Sequence, residues 1–154
     1  MTVQTDRIER DVLIAAPVER VWELITSAEH MGRWLGDAGA EIDLRPGGKL
    51  SLSWREHGTH YGRVEAVEPP HRFVYRWLAE IDAQEEPTPA NSTLTEFMLT
   101  AEGDGTRVAV AESGFDGLDV DPASRGATFA SHTRGWTAEL DELLGYAAGT
   151  PAGR

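Results

Sequence analysis

The sequence predicts an α+β domain built on one antiparallel sheet. One strand pattern comes first, two short helical patterns follow it, and about six consecutive strand patterns then lead to one long amphipathic helix. Strands grouped together and bounded by helices are typical of an antiparallel sheet. Such a twisted sheet must bury one face, and the C-terminal helix is the only long amphipathic element available to cover it.

The first elements follow from spacing and from one proline. Alternating apolar residues predict a strand over residues 8–15. Pro17 then stands where a helix favours its first residue, because no backbone N–H is needed there, and a short helix is predicted from it to about Ser27. A second short helical pattern covers residues 28–36. Both helices are too short to be stable alone, so we expect them to depend on packing.

The middle of the chain alternates with period two. Residues 41–81 are predicted as strands, with a break at the Pro-Pro pair of residues 69–70. In the strand after this break, Phe73, Tyr75 and Trp77 share one face. These large aromatic side chains are therefore expected to face the interior together.

The last strands form a predicted hairpin over residues 93–115. Asp104-Gly105 is a strong signal for its two-residue turn. The acidic, proline-containing segment 83–92 before it is predicted to be a mobile loop. Residues 116–126 then lead into the C-terminal helix.

The C-terminal helix carries an apolar stripe that includes a histidine. Residues spaced three and four apart on one face are Phe129, His132, Trp136, Leu140, Leu143 and Ala147. The second half of this stripe is expected to seal the sheet. The first half is expected to form a cavity wall, where His132 either meets water and ligand or hydrogen-bonds to a neighbouring hydroxyl group.

Size and composition indicate a globular protein that is stable without disulfide bonds or structural metal ions. The 154 residues fit a single domain over 1–154, with about 1–6 and 149–154 expected to be disordered tails. A chain of this length buries about 68–70% of its unfolded surface, so no disulfide or metal is needed for stability. The chain has no cysteine, which excludes disulfides, thiol catalysis and thiolate metal sites.

Charge narrows the range of partners. The formal net charge is −12, from 26 acidic and 14 basic residues, and Lys49 is the only lysine. Nucleic acids and anionic membranes require clustered positive charge, so neither is an expected partner. Charged residues occupy the N-terminus where a signal peptide needs an apolar run, and no segment approaches the roughly 20 apolar residues of a membrane span. We therefore expect a cytoplasmic protein without membrane insertion.

Six segments, in order along the chain, carry a family resemblance: APVERVWELIT, RWLG, IDLRPGGKLSL, GRVEAVEPPHRFVYRW, FMLTAEGDGTRVAVAESGF and HTRGWTAELDELLGY. The ordered set covers nearly the whole chain. It resembles the helix-grip fold of the START-like (SRPBCC) superfamily, in the branch related to the C-terminal domain of the Hsp90 ATPase activator.

The resemblance implies an architecture and three classes of function. The architecture is a curved antiparallel sheet of about six to seven strands wrapped around a long C-terminal helix, with two short helices after the first strand. A deep cavity is expected between sheet and helix. Members bind hydrophobic or amphipathic small molecules, act as polyketide cyclases, or serve as chaperone-associated modules. Relatives often have histidine where Glu112 stands, which bears on the polarity of the cavity.

Motifs for covalent or metal chemistry are missing from the sequence. No serine lies in a Gly-x-Ser-x-Gly motif, and Ser131 points about 100° away from His132 on the helix. His57 and His60 lack the third ligand that zinc needs. We expect no catalytic residue, no metal and no cofactor.

The tryptophans point to a ligand cavity. A packed core is the alternative for Trp22 and Trp77 individually, but indoles on helix and sheet together favour an aromatic cavity with polar anchors. The predicted ligand-binding residues are Trp34, Trp54, Tyr61, Tyr75, Trp77, Glu96, Phe129, His132 and Trp136. A one-residue change of strand register reverses the faces, which leaves open whether Arg63, Glu96 and Glu112 face the cavity or solvent.

The sequence therefore predicts a protein that binds a hydrophobic or amphipathic small molecule in an internal cavity. Two alternatives stay open. One is a co-chaperone-like module that associates with an Hsp90-type chaperone. The other is an enzyme of the cyclase or dehydratase type, in which polar pocket residues act as general acid and base.

Overall fold

The computed structural model describes residues 7–149. Its elements are β1 (Arg7–Ile14), α1 (Val18–Thr26), α2 (Ala28–Trp34), β2 (Ala40–Ile42), β3 (Lys49–Trp54), β4 (Gly58–Glu68), β5 (Arg72–Leu78), β6 (Ser92–Glu102), β7 (Gly105–Ser113), a 3-10 turn (Phe115–Gly117) and α3 (Pro122–Gly149). The predicted α+β class and element order are confirmed. The predicted tails lie outside the described residues, except that Gly149 is the last residue of α3.

The seven strands form one antiparallel sheet in the order β1-β7-β6-β5-β4-β3-β2. The first and last strands of the chain are therefore neighbours, and every other pair consists of strands that follow one another in sequence. Arg10 on β1 donates a hydrogen bond from Nε to Thr137 Oγ1 on α3, at 3.2 Å. The long helix thus lies on the same face of the sheet as the inward residues of β1.

The inner face of the sheet is aromatic at its centre, as the alternation on β5 predicts. Phe73, Tyr75 and Trp77 are all at most 4% exposed, and Phe97 on β6 pairs with Phe73. The short helices close one end of this core. There Trp34 donates its indole N–H to the carbonyl oxygen of Leu24 at 2.7 Å, so this buried indole has its partner within the helical pair.

The hairpin between β6 and β7 turns one residue earlier than predicted. Glu102 pairs with Gly105, so the two loop residues are Gly103 and Asp104 rather than Asp104 and Gly105. Gly103 has a positive φ of 61° at the first central position, which glycine adopts without the steric cost that a Cβ would bring.

Helix α3 begins at Pro122, within the segment expected only to lead into it. Asp121 caps it, because its carboxylate accepts hydrogen bonds from the backbone N–H of Ser124 at 3.1 Å and from the Ser124 hydroxyl at 2.6 Å. These bonds lower the pKa of Asp121. An Asp-Pro pair as N-cap and first helical residue is the sequence signal for this start. None of the helices within residues 7–149 is long and apolar enough to cross a membrane.

Candidate functional site

A pocket of about 490 Å³ lies between the first half of α3 and the inner face of β3, β4 and β5. Side chains from these elements and from the segments next to them form its wall. The lining residues are Leu35, Trp54, His57, His60, Trp77, Ala79, Ile81, Ala127, Thr128, Ser131, His132, Gly135, Trp136 and Glu139. The volume lies in the range typical of small-molecule sites.

The wall contains a cluster of four aromatic rings, from Trp54, Trp77, Trp136 and His60, and the imidazoles of His57 and His132 also line the pocket. Trp77 lies at the centre. Its ring centroid is 6.1 Å from that of Trp54, 6.0 Å from that of Trp136 and 4.6 Å from that of His60. The contacts with Trp136 and His60 are stacked. The alternation of β3, β4 and β5 brings three of these rings to the inner face, and the 3.6-residue period of α3 adds the fourth.

Glu112, near the end of β7 on the inner face of the sheet, is the acceptor that the surrounding donors share. Its side chain is fully buried. The indole N–H groups of Trp77 and Trp136 donate to its carboxylate at 2.9 and 2.8 Å, the Thr93 hydroxyl donates to it as well, and His132 Nδ1 lies 2.9 Å from both of its oxygens. One carboxylate therefore ties α3 to three strands of the sheet.

Glu112 and His132 stabilise each other's charged form. Burial by itself would raise the pKa of Glu112, but the charge of His132 and the hydrogen bonds from its donors outweigh burial, and the pKa lies below its ordinary value. Burial likewise opposes the charged form of His132, yet the nearby carboxylate raises the pKa of His132 above 6.5. The pair is therefore an imidazolium and a carboxylate in weakly acidic solution.

His60, in contrast to His132, is uncharged. Its Nδ1 lies 2.7 Å from the carbonyl oxygen of Leu78, and because that oxygen can only accept, Nδ1 carries the hydrogen. Burial lowers the pKa of His60, against the opposing effect of this hydrogen bond. The neutral ring therefore presents Nε2 as an acceptor. Its centroid is 5.8 Å from that of His132, and within residues 7–149 neither Nε2 atom has a hydrogen-bond partner.

Glu139 marks the other end of the pocket, two helical turns after His132. Its Oε2 atom is buried and has no hydrogen-bond partner in the described part of the chain. Burial, together with the negative charges of Glu142 and Asp37, raises the pKa of Glu139 to about 8. Within residues 7–149, no group of three or more His, Asp or Glu side chains is arranged to hold a metal ion.

Four of the nine predicted ligand-binding residues line the pocket: Trp54, Trp77, His132 and Trp136. Trp34 and Tyr75 are instead buried in the core. Phe129 packs edge-on against Phe115, with ring centroids 5.2 Å apart. None of these three aromatic residues is part of the pocket lining. Tyr75 packs against the wall, with its ring centroid 5.3 Å from that of Trp77.

Tyr61 and Glu96 lie on the outer face of the sheet, which corrects the prediction that they line the cavity. Tyr61 is next to inward-facing His60 on β4, and Glu96 is next to inward-facing Phe97 on β6. Glu96 accepts a hydrogen bond from Arg72 Nε at 2.5 Å. Arg63 also faces outward, with Glu65 as its ion-pair partner. Side chains alternate along a strand, so one step in register reversed the prediction.

Among the polar groups of the site, sequence reasoning left open whether Glu112 faces inward, and it missed the roles of His60 and Glu139. Glu112 continues the inward alternation of Val108 and Val110, and that pattern was the available signal for its burial. His60 was seen only as part of a loop-like histidine pair, although it lies in β4. Glu139 was not singled out at all. The partner of His132 is also neither of the two expected ones, because it is a carboxylate rather than a hydroxyl group or a ligand.

Comparison with known proteins gives a family match and a set of similar folds. The family model described as "Activator of Hsp90 ATPase homolog 1-like protein" matches residues 15–148. The comparison with curated proteins gives no significant match.

Three solved structures illustrate the likeness in fold. MLL2253 from Mesorhizobium loti is 22% identical with a TM-score of 0.75, over 94% of this chain and 98% of that one. PFC0360w, an HSP90 activator from Plasmodium falciparum, is 19% identical with a TM-score of 0.71, over 95% and 98%. DynU16, from the dynemicin biosynthetic locus, is 23% identical with a TM-score of 0.73 over 95% of this chain, which spans about half (49%) of DynU16.

Proposed function

The chain belongs to the family of activator of Hsp90 ATPase homolog 1-like proteins, and from the geometry of its pocket we propose that it binds a hydrophobic or amphipathic small molecule between α3 and the sheet. The observation that carries this proposal is the indole wall around about 490 Å³ of space. Since Glu112 already satisfies the N–H groups of Trp77 and Trp136, a ligand can pack against the apolar carbon atoms of this wall without loss of hydrogen bonds.

The expected affinity for a small probe is modest. Removing about 150 Å² of apolar surface from water gives about 4 kcal/mol at about 25 cal/mol per Å². Because association also costs translational and rotational freedom, this is an upper limit, and the Kd of a neutral aromatic molecule the size of 3-methylindole should be no lower than about 1 mM. A natural ligand that also bonds to the polar groups of the pocket is expected to bind more tightly.

Titration of 15N-labelled protein with 3-methylindole tests the proposal by NMR. The indole N–H signals of Trp54, Trp77 and Trp136 are expected to shift in a saturable manner. Those of Trp22, which packs on Phe73, and of buried Trp34 are expected to stay in place. Single Trp→Phe variants assign the five signals. Equal shifts at all five tryptophans, or no saturable shift, would contradict binding in this pocket.

A second candidate function, general acid–base catalysis, is favoured by the two imidazoles. His60 offers an Nε2 acceptor, whereas protonated His132, held by Glu112, offers an Nε2–H donor. A ketone whose oxygen accepts from His132 could lose an α-proton to His60 Nε2 while its oxygen takes the Nε2 proton of His132, which gives an enol. After the proton on His60 exchanges with solvent, its transfer to carbon and the return of the oxygen proton to His132 restore the ketone, so the pair would catalyse α-hydrogen exchange.

This candidate predicts exchange of the α-hydrogens of 2-tetralone for deuterium in D₂O. Wild-type protein is expected to accelerate exchange above the buffer rate, and His60→Gln to lower the catalysed rate by about 100-fold without weakening ketone binding. His71→Gln is the control, because His71 bonds to Leu99 O outside the pocket. The decay of the α-hydrogen signals of the ketone in NMR spectra measures the exchange rate. Exchange at the buffer rate, or an equal rate in His60→Gln, would exclude catalysis by this pair.

The family also supports the chaperone alternative. The similar P. falciparum protein is described as an HSP90 activator, and for this chain association with an Hsp90-type chaperone is the competing proposal. It would place function on the exterior of the protein. Pocket variants would then alter chaperone binding only through stability.

A further inference from the structure

The wall of the pocket is poor in available positive charge. No lysine or arginine is among its lining residues. His132 has its charge compensated by Glu112 at 2.9 Å, and the ring of His60 donates its Nδ1–H to the Leu78 carbonyl. An anionic ligand would therefore find no uncompensated cation here, and the formal net charge of −12 would repel it further.

Glu139 brings a buried polar atom without a protein partner to the pocket. Its Oε2 atom is buried without a hydrogen bond in the described residues, although buried polar atoms in proteins nearly always have one. Glu139 follows Trp136 by three residues, so the carboxyl group and the indole are neighbours on one helix face. A group beside Glu139 would thus also touch the edge of the indole wall.

The titratable groups around Glu139 do not compensate the negative charge of its ionised form. Glu142 on the same helix and Asp37 after α2 add negative charge, and Tyr75 on β5 is close enough for Glu139 to contribute to its raised pKa, after burial and Glu112. His132 lies seven residues earlier on α3, about 10 Å along the helix. The remaining titratable lining groups are His57 and His60, from the β3–β4 turn and from β4.

We propose that the pocket selects a positively charged ligand, an arylalkylamine whose ammonium group donates hydrogen bonds to Glu139 and whose ring packs against the aromatic wall formed by Trp54, Trp77 and Trp136. This inference rests on the proposed binding function and names its ligand class. An ammonium group supplies the donor that Glu139 lacks, in a charge-assisted hydrogen bond. The ring of Trp136, three residues before Glu139 on the same helix face, adds attraction between a cation and an aromatic ring.

Calorimetry with three related probes tests this. Tryptamine is a cation near neutral pH, 3-methylindole is neutral and indole-3-propionate is an anion. Tryptamine is expected to bind about tenfold more tightly than 3-methylindole, and indole-3-propionate more weakly than either. Since the pKa of Glu139 is about 8, the bound ammonium should displace its proton, so about 0.9 proton should be released near pH 7. Buffers with different ionisation enthalpies measure this release.

Glu139→Gln keeps the shape of the side chain and removes its charge. In this variant, tryptamine is expected to bind no more tightly than 3-methylindole and to release no proton. Asp141→Asn is the matched control: it removes a negative charge from an exposed position on the same helix outside the pocket, and should retain both effects.

The outcomes separate this inference from the proposed function. Binding of 3-methylindole with no preference for tryptamine would overturn the amine selectivity and leave pocket binding intact. Preference or proton release that persists in Glu139→Gln would also overturn it. Absence of binding by all three probes would overturn both proposals.

Discussion

Replacing Glu112 with alanine is expected to lower the free energy of unfolding by about 3–5 kcal/mol near pH 6. The fully buried carboxylate accepts hydrogen bonds from two indoles, a hydroxyl group and an imidazole. Alanine would leave these four donors without their acceptor in a space that the side chain also filled. Urea unfolding followed by circular dichroism measures the loss.

Glu96→Ala is the control for Glu112→Ala. Glu96 is on the outer face of the same sheet, where its half-exposed ion pair with Arg72 is expected to contribute less than about 1 kcal/mol. Glu112→Gln keeps an amide oxygen as acceptor and is expected to fall between wild type and Glu112→Ala. A loss below about 1 kcal/mol for Glu112→Ala would contradict the role of Glu112 as the shared acceptor.

The effect of pH on the Glu112 variant follows from the two shifted pKa values. The pKa of Glu112 is lowered from 4.5, so its stabilisation is present above that value and is lost as pH falls through the folded-state pKa. The pKa of His132 is raised from 6.5, so its stabilisation is present below that value and is lost as pH rises through the folded-state pKa. The difference in the free energy of unfolding between wild type and Glu112→Ala should therefore be largest between about pH 4.5 and pH 6.5.

Replacing Gly135 with leucine is expected to weaken binding of 3-methylindole by more than about tenfold. Gly135 lines the pocket, and a Cβ built on it would have no atom within 4 Å. The leucine side chain therefore has room to form and would occupy the ligand's space. Loss of glycine from a helix interior should also stabilise α3 by about 0.5–1 kcal/mol, so weaker binding could not be attributed to unfolding.

Gly145→Leu is the matched control. Gly145 is also in α3 with open space around its Cβ position, but it is exposed and outside the pocket lining. This variant should share the helix stabilisation and retain wild-type affinity. Equal affinities in both variants would contradict the pocket as the binding site.

The same two glycine variants distinguish pocket function from chaperone association. If the protein acts by docking its exterior on an Hsp90-type chaperone, Gly135→Leu should leave capture of purified Hsp90 and stimulation of its ATPase unchanged. If ligand binding in the pocket is the function, the two variants should differ in ligand affinity while neither captures Hsp90.

Local patterns in the sequence determined the architecture. The period-two strands, the 3.6-residue stripe of the last helix and the proline at the start of α1 depend on neighbours a few residues apart, and they gave the element order and the shared face of Phe73, Tyr75 and Trp77 correctly. The ordered segments also identified the family. The same stripe placed His132 and Trp136 on the inner face of the last helix, where both line the pocket.

The chemistry of the site depended on pairings that no local pattern contains. The four donors to Glu112 lie between 19 and 35 residues from it along the chain. Strand register, shifted by a single residue, exchanged His60 for Tyr61 at the pocket wall. Burial and the surrounding charges then set the protonation of His60, His132 and Glu139. Periodicity specifies which side of an element is buried, whereas only tertiary packing specifies which buried groups meet.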